Sequence, residues 1–181
     1  MAVDEDILND FKSETKGLVK ELLALLDAAD GDPTEFGKLE QYGQTVDRIM
    51  GGAKSLATNF VEDFPPGHMI HQMGDYAALC KAVGYKASQV SDNEQFFNVC
   101  VAFLLDATEM LQKMVNLLGA DQSVSISYLL NKTFLDRLKW INSQFKSDLR
   151  ATMATEGDQT PKKAKMNQSE IDDLLKKLGV G

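Results

Sequence analysis

The sequence predicts an all-α protein: an up-down antiparallel bundle of five helices, similar in kind to a four-helix bundle, followed by a flexible carboxy-terminal tail. Two observations favour this fold. Apolar residues recur at intervals of three and four along most of the chain, and none of the four prolines falls inside such a segment. No stretch alternates apolar and polar residues as a strand does. Short connections between long amphipathic helices favour antiparallel neighbours.

The element boundaries follow from caps and breakers. The first helix opens with the acidic run 4–6, which is favourable at the positive end of a helix dipole, and "DGDP" stops it near residue 29. The second ends before "EDFPPG", because consecutive prolines cannot continue a helix interior. The five predicted helices span about 4–29, 33–60, 68–91, 93–118 and 125–150.

The end of the chain differs from the rest. After the bundle, residues 1–150, the segment 151–167 is rich in polar residues, with Gly, Pro and Lys and little to bury, which predicts a flexible linker. Residues 168–181 then predict a short helix whose apolar side chains recur at i, i+3, i+4 and i+7. They are Ile171, Leu174, Leu175 and Leu178. A helix of about ten residues is marginal alone in water, so it must dock on its own protein or on another.

Composition excludes several classes of function. The formal net charge of −8 argues against nucleic acid, whose binders need basic surface. No apolar run approaches the roughly 18 residues of a membrane span, so no membrane insertion is expected. The first twenty residues are too charged for a secretory signal, and Cys80 and Cys100 fit buried, reduced thiols; a cytoplasmic location is expected. No His/Cys cluster has metal-ligand spacing, so no metal site is predicted.

The second helix carries an unusual polar row. At 100° per residue its apolar residues gather into one core stripe, while Glu40, Gln44, Asp47 and Gly51 fall within about 60° of one another on the opposite side. Each exposed glycine in a helix costs about 1 kcal/mol relative to Ala. The pair Gly51-Gly52 therefore predicts that something approaches the backbone closely there.

The stretch "VDRIMGGAKSL" resembles the phosphotransfer helix of the histidine kinase CheA and of other histidine phosphotransfer domains. The resemblance covers about 1–150 and implies the same helical bundle. It puts Asp47 at the position of the phosphorylated histidine and Met50 at that of the lysine. Because an aspartate cannot form a phosphoramidate, ordinary phosphorelay is not expected.

The tail "QSEIDDLLKKLG" resembles the carboxy-terminal CheY-binding peptide of the phosphatase CheZ, and the amino-terminal CheY-binding peptide of the flagellar switch protein FliM. The resemblance implies a CheY-like response regulator as partner, in chemotaxis or another two-component system that controls flagellar rotation. The four apolar residues named above, with Asp172 and Asp173, would contact it. An amphipathic helix that docks in a groove is a known recognition mode.

With that partner, "EQYGQTVDRIM" is similar to the catalytic helix of CheZ. The resemblance implies that Gln44 orients a water towards the aspartyl phosphate, and that either Glu40 or Asp47 meets the regulator's lysine. Gly51 and Gly52 would form a docking face. The protein would need no cofactor of its own, because the regulator supplies Mg²⁺. It would then be a hydrolase; the alternative is a non-catalytic adaptor or phosphate sink, and a homodimer stays open.

Overall fold

The computed structural model describes residues 3–119, 126–155 and 168–179, with the side chains of 146–155 and 168–170 excepted. These residues form helices and turns with no strand among them, which confirms the all-α prediction. The α-helices are α1 (Glu5–Ala29), α2 (Phe36–Asn59), α3 (Met69–Ala87), α4 (Glu94–Leu117), α5 (Ile126–Leu129), α6 (Lys132–Thr155) and α7 (Gln168–Lys177), and a 3-10 turn covers Pro33–Glu35.

Helices α1 to α4 make the bundle. Each packs on the next along the chain, and α4 returns to contact α1, so the four close a ring around one apolar core. Short connections join them, as in an up-and-down bundle. Helix α3 contacts α2, α4 and α7, and most of its residues are buried.

Side-chain caps account for where several helices begin. The Asp4 carboxylate accepts from the amide of Asp6 at 3.1 Å, and Asn93 accepts from Phe96 at 3.0 Å. The fifth predicted helix is interrupted in the same way. The side chain of Asn131 accepts from the amide of Phe134 at 2.8 Å, which starts α6 anew and leaves α5 as a separate short helix. The third helix ends at Ala87 instead of residue 91.

Helices α6 and α7 lie outside the ring. Helix α6 contacts α4 and α7, and α7 contacts α3 and α6. Helix α6 continues to Thr155, into the segment predicted as linker, whose remaining residues, 156–167, lie outside the described part of the chain. Within the described ranges, no helix combines the length and the apolar character that crossing a bilayer requires.

Candidate functional site: the outer row of helix α2

Reciprocal contacts fix helix α2 against helix α3. A Cβ on Gly84 would lie 2.8 Å from Cδ1 of Tyr42, and a Cβ on Gly43 would lie 3.0 Å from the ring of Tyr85. Each helix therefore presents a glycine to a tyrosine of the other, which lets the two backbones approach closely. Such interlocking side chains resist sliding and rotation, so the outward face of α2 has a defined direction.

A buried polar cluster anchors the inner side of α2. The hydroxyl of Tyr42 bonds to the Thr108 hydroxyl at 2.9 Å, and the hydroxyl of Tyr76 donates to the carbonyl of Ala107 at 2.8 Å. Burial raises the pKa of the neighbouring Cys80 thiol to about 12. The thiol is therefore protonated at neutral pH and is a poor nucleophile, so this cluster is structural.

Glu40 and Gln44 lie on the outer side of α2, one helical turn apart, and both are exposed. Within the described part of the chain, neither side chain forms a hydrogen bond or an ion pair. The carboxylate and the amide are therefore both available to groups outside the protein. The core stripe on the opposite side is buried as predicted, except that Met50 and Phe60 are only partly covered.

Asp47 differs from Glu40 although both belong to the predicted row. The ammonium of Lys81 on α3 lies 2.5 Å from the Asp47 carboxylate, and both side chains are partly covered. Lys81 also lies over the ring of Tyr85, at 6.0 Å from its centroid. The contact of Lys81 with Asp47 could not be predicted from the sequence pattern of α2, because that pattern carries no information about a side chain 34 residues further along the chain.

The two glycines of the predicted docking face have different surroundings. A Cβ on Gly51 would meet nothing within 4 Å, so this position is open. A Cβ on Gly52 would lie 2.8 Å from Cε2 of Phe11, so Gly52 packs against α1 and is not part of an exposed face. The reason is geometric: adjacent residues of a helix point about 100° apart and cannot both face outward in one row.

The tail helix occupies a surface of its own protein. Of the predicted partner-binding residues, the apolar four are buried on the body, Asp172 accepts a hydrogen bond from Asn142 at 3.1 Å, and Asp173 is exposed. Gly179, with φ of +75°, follows the end of the helix in the left-handed conformation that is common after helix ends. Of the two options left open for this helix, the structure therefore realises docking on the same chain.

The chemistry open to the outer row is limited. A carboxylate can hold a cation from another molecule, and a primary amide can donate and accept hydrogen bonds, but neither is an activated nucleophile. Across the described residues, no three His, Cys, Asp or Glu side chains come together as a metal site would require. The row can thus bind and orient groups of another molecule.

Comparison with family models, with curated proteins and with solved structures finds no match to this chain.

Proposed function

We propose that the protein binds a CheY-like response regulator and hydrolyses its aspartyl phosphate, with Gln44 orienting the attacking water. One observation supports this most: Glu40 and Gln44 stand one turn apart on the outside of a rigidly packed helix, without a partner in the described part of the protein. The similarity of "EQYGQTVDRIM" and of the tail to CheZ supplies the substrate class.

The reaction needs little from this chain beyond positioning. On the regulator, a bound Mg²⁺ and a lysine would supply positive charge to the phosphoryl oxygens. Water attacks phosphorus, the bond to the aspartyl oxygen breaks, and the products are a free carboxylate and inorganic phosphate, which takes up the proton from the water. Holding the water in line can lower the barrier by several kcal/mol, and a glutamine amide does this in GTPases without acting as a base.

Glu40, and not Asp47, is the acid that pairs with the lysine of the regulator in this proposal. Asp47 already holds the ammonium of Lys81 at 2.5 Å, so it would have to give up that ion pair before it could accept another cation. Glu40 has no such competitor among the described residues, and it lies one turn from the amide of Gln44.

The proposal is tested by the decay of phosphorylated CheY-like regulator in the presence of the wild-type protein, Gln44→Ala and Gln41→Ala. Gln41 is the matched control, because it is an exposed glutamine on the same helix but outside the row. We expect Gln44→Ala to lower the rate by about 100-fold while binding is kept, since a misplaced reacting group costs on that order. We expect Gln41→Ala to act like the wild type.

Glu40→Ala and Asp47→Ala extend the test to the acid, and the larger loss of rate is expected for Glu40. If Gln44→Ala retains the full rate, the amide has no catalytic role. Binding without any acceleration by the wild-type protein would instead support the alternative function, a non-catalytic adaptor or sink for the phosphorylated regulator.

A further inference from the structure

The apolar side of the tail helix is fully engaged by the body of the protein. Ile171 is 0%, Leu174 9%, Leu175 5% and Leu178 5% exposed. Helix α7 contacts both α3 and α6. A ten-residue helix has one apolar side only, and here all of it is covered.

Helix α3, which α7 contacts, has buried residues on all sides. They include Leu79, Ala82 and Lys86, which share a side of the helix. The ammonium of Lys86 lies 5.8 Å from the ring centroid of Phe145 on α6, so α3 and α6 approach each other, and α7 contacts both helices.

A hydrogen bond between α6 and α7 orients the tail helix in addition to its apolar contacts. The side-chain amide of Asn142, only 5% exposed on α6, donates to the carboxylate of Asp172 at 3.1 Å. Because Asp172 lies next to Ile171 in sequence, this hydrogen bond fixes which side of α7 turns towards the groove.

We infer that helix α7 binds either in the groove between α3 and α6 or on the response regulator. The tail therefore exchanges between two mutually exclusive positions. This rests on the proposed function, because the resemblance of the tail to CheY-binding peptides implies that the same four apolar residues contact the regulator. A side chain buried in the protein's own groove cannot also fill a groove of the partner. The regulator therefore captures the tail only after α7 has left α3 and α6.

Competition lowers the apparent affinity by a calculable factor. If only a fraction of molecules has a free tail, the apparent Kd equals the intrinsic Kd divided by that fraction. A tail that is free in roughly one molecule in ten would bind the regulator about tenfold more weakly than an undocked one. A change in the groove that never touches the regulator then changes regulator binding.

The test uses the full chain with Asn142→Asp, which places a second carboxylate at the contact with Asp172 and leaves the tail sequence unchanged. Repulsion between the two carboxylates should release α7. Ser143→Asp is the matched control, because it adds the same charge one residue along α6 at an exposed position. Asn142→Ala serves as the second variant, and thermal unfolding checks that all three fold.

Two measurements are made on each protein. Amide hydrogen exchange over residues 171–178 reports docking without any partner, since a free helix of this length exchanges quickly. Calorimetry with a CheY-like receiver domain reports the competition. We expect protected tail amides in the wild type and in Ser143→Asp, loss of protection in Asn142→Asp, and about threefold to tenfold tighter receiver binding by Asn142→Asp.

A reversible disulfide that holds α7 in place should have the opposite effect on receiver binding. The protein with Asn142→Cys and Asp172→Cys, oxidised by glutathione disulfide, holds α7 on the groove through a new disulfide. The native Cys80 and Cys100 are buried and stay out of the reaction. We expect the oxidised protein to bind the receiver at least about tenfold more weakly than the same protein after reduction.

The outcomes separate the two proposals. Unprotected tail amides in the wild type would overturn the inference, even if the receiver binds. Protected amides with equal receiver affinity in wild type and Asn142→Asp would also overturn it and leave the proposed function intact. Protected amides, with no receiver binding by any variant, would overturn both the competition and the proposed partner.

Discussion

His68 shows how one side chain can link the stability of the fold to pH. It lies just before α3, and its Nδ1 accepts a hydrogen bond from the amide of Ile70 at 3.1 Å, so it caps the helix. Burial, and then the nearby His71, lower the pKa of His68 below its ordinary value of 6.5. A protonated Nδ1 could not accept this hydrogen bond, so the cap requires the neutral ring.

The sign of the pH effect follows from this lowered pKa. Below pH 6.5 the unfolded chain binds a proton at His68 more readily than the folded one, so the stabilisation present above pH 6.5 is lost as the pH falls through the folded pKa. We expect His68→Asn to keep the cap, because its amide oxygen can accept the same bond, and to reduce the pH dependence. Urea unfolding at about pH 7.5 and pH 5.5 measures this. If the free energy of unfolding depends on pH in the variant as it does in the wild type, His68 is not the source of the pH dependence.

The candidate site could be predicted only in part at this scale. Residue types and helical spacing were enough to put Glu40 and Gln44 on the outer side of α2, where both are exposed. They were not enough to separate Glu40 from Asp47, because the difference is made by Lys81 on another helix. A contact between helices depends on their relative rotation, which a periodic pattern on one helix does not contain.

Among the elements, the contact between α1 and α2 explains one half of the glycine pair. Gly52 faces the ring of Phe11, which is itself almost fully buried, whereas Gly51 faces open space. The same substitution at these adjacent positions therefore has opposite effects, and each variant is the control for the other.

We expect Gly52→Ala to lower the free energy of unfolding by up to about 2 kcal/mol, because overpacking of the new methyl group against Phe11 costs about 1–3 kcal/mol and the higher helix propensity of alanine offsets only about 1 kcal/mol of it. We expect Gly51→Ala to raise it by about 0.5–1 kcal/mol, because alanine favours an exposed helix more than glycine does. Urea unfolding followed by far-ultraviolet circular dichroism gives both values. A change of the same sign in both variants would contradict the assignment of Gly52 to the helix contact.

Helix positions were predictable where local chemistry defines them. The acidic cap at Asp4 and the prolines 65–66 set boundaries that agree with the structure within a few residues. The break at Asn131 was missed because the apolar periodicity continues through it, while its side chain accepts the amide hydrogen bond that begins α6. A cap inside a periodic segment is visible only if every Asn is considered as a possible start.

At the scale of the whole molecule, the tail docks on its own protein, and the proposed function gives it a second role in binding the regulator. The proposed function makes residues 168–181 the anchor for the regulator and the outer row of α2 the second contact. Linked contacts strengthen each other through effective concentration, so the loss of the anchor costs far more than a local change.

We expect a chain lacking residues 168–181 to bind the regulator about 100-fold more weakly than the wild type, because the bundle alone lacks the anchoring contact. Calorimetry measures the affinity. A chain in which residues 168–181 are scrambled is the control for length and charge, since it loses the apolar spacing but keeps the composition. Equal affinity for the truncated and the wild-type chain would remove the tail from the interface.

The docking of α7 could have been suspected from α3. Its apolar residues Leu79 and Ala82 lie on a different side of the helix from Met73, Ala77 and Cys80. A helix that is apolar on all sides needs cover all around. Lys86 made this side of α3 look exposed in the sequence, because lysine side chains are normally exposed to solvent. In the structure Lys86 is only 8% exposed and lies beside an aromatic ring.

The closed ring of α1 to α4 has a consequence for biosynthesis. All of its contacts are complete once the chain has been made as far as Leu117, whereas α7, which contacts α3, is translated after the other described helices. At about 5–20 residues per second, the sixty residues from Leu117 to Lys177, where α7 ends, take roughly 3–12 s. For that time, a nascent ring would present the α3 groove uncovered, and chaperones or other amphipathic helices could reach it before the protein's own tail arrives.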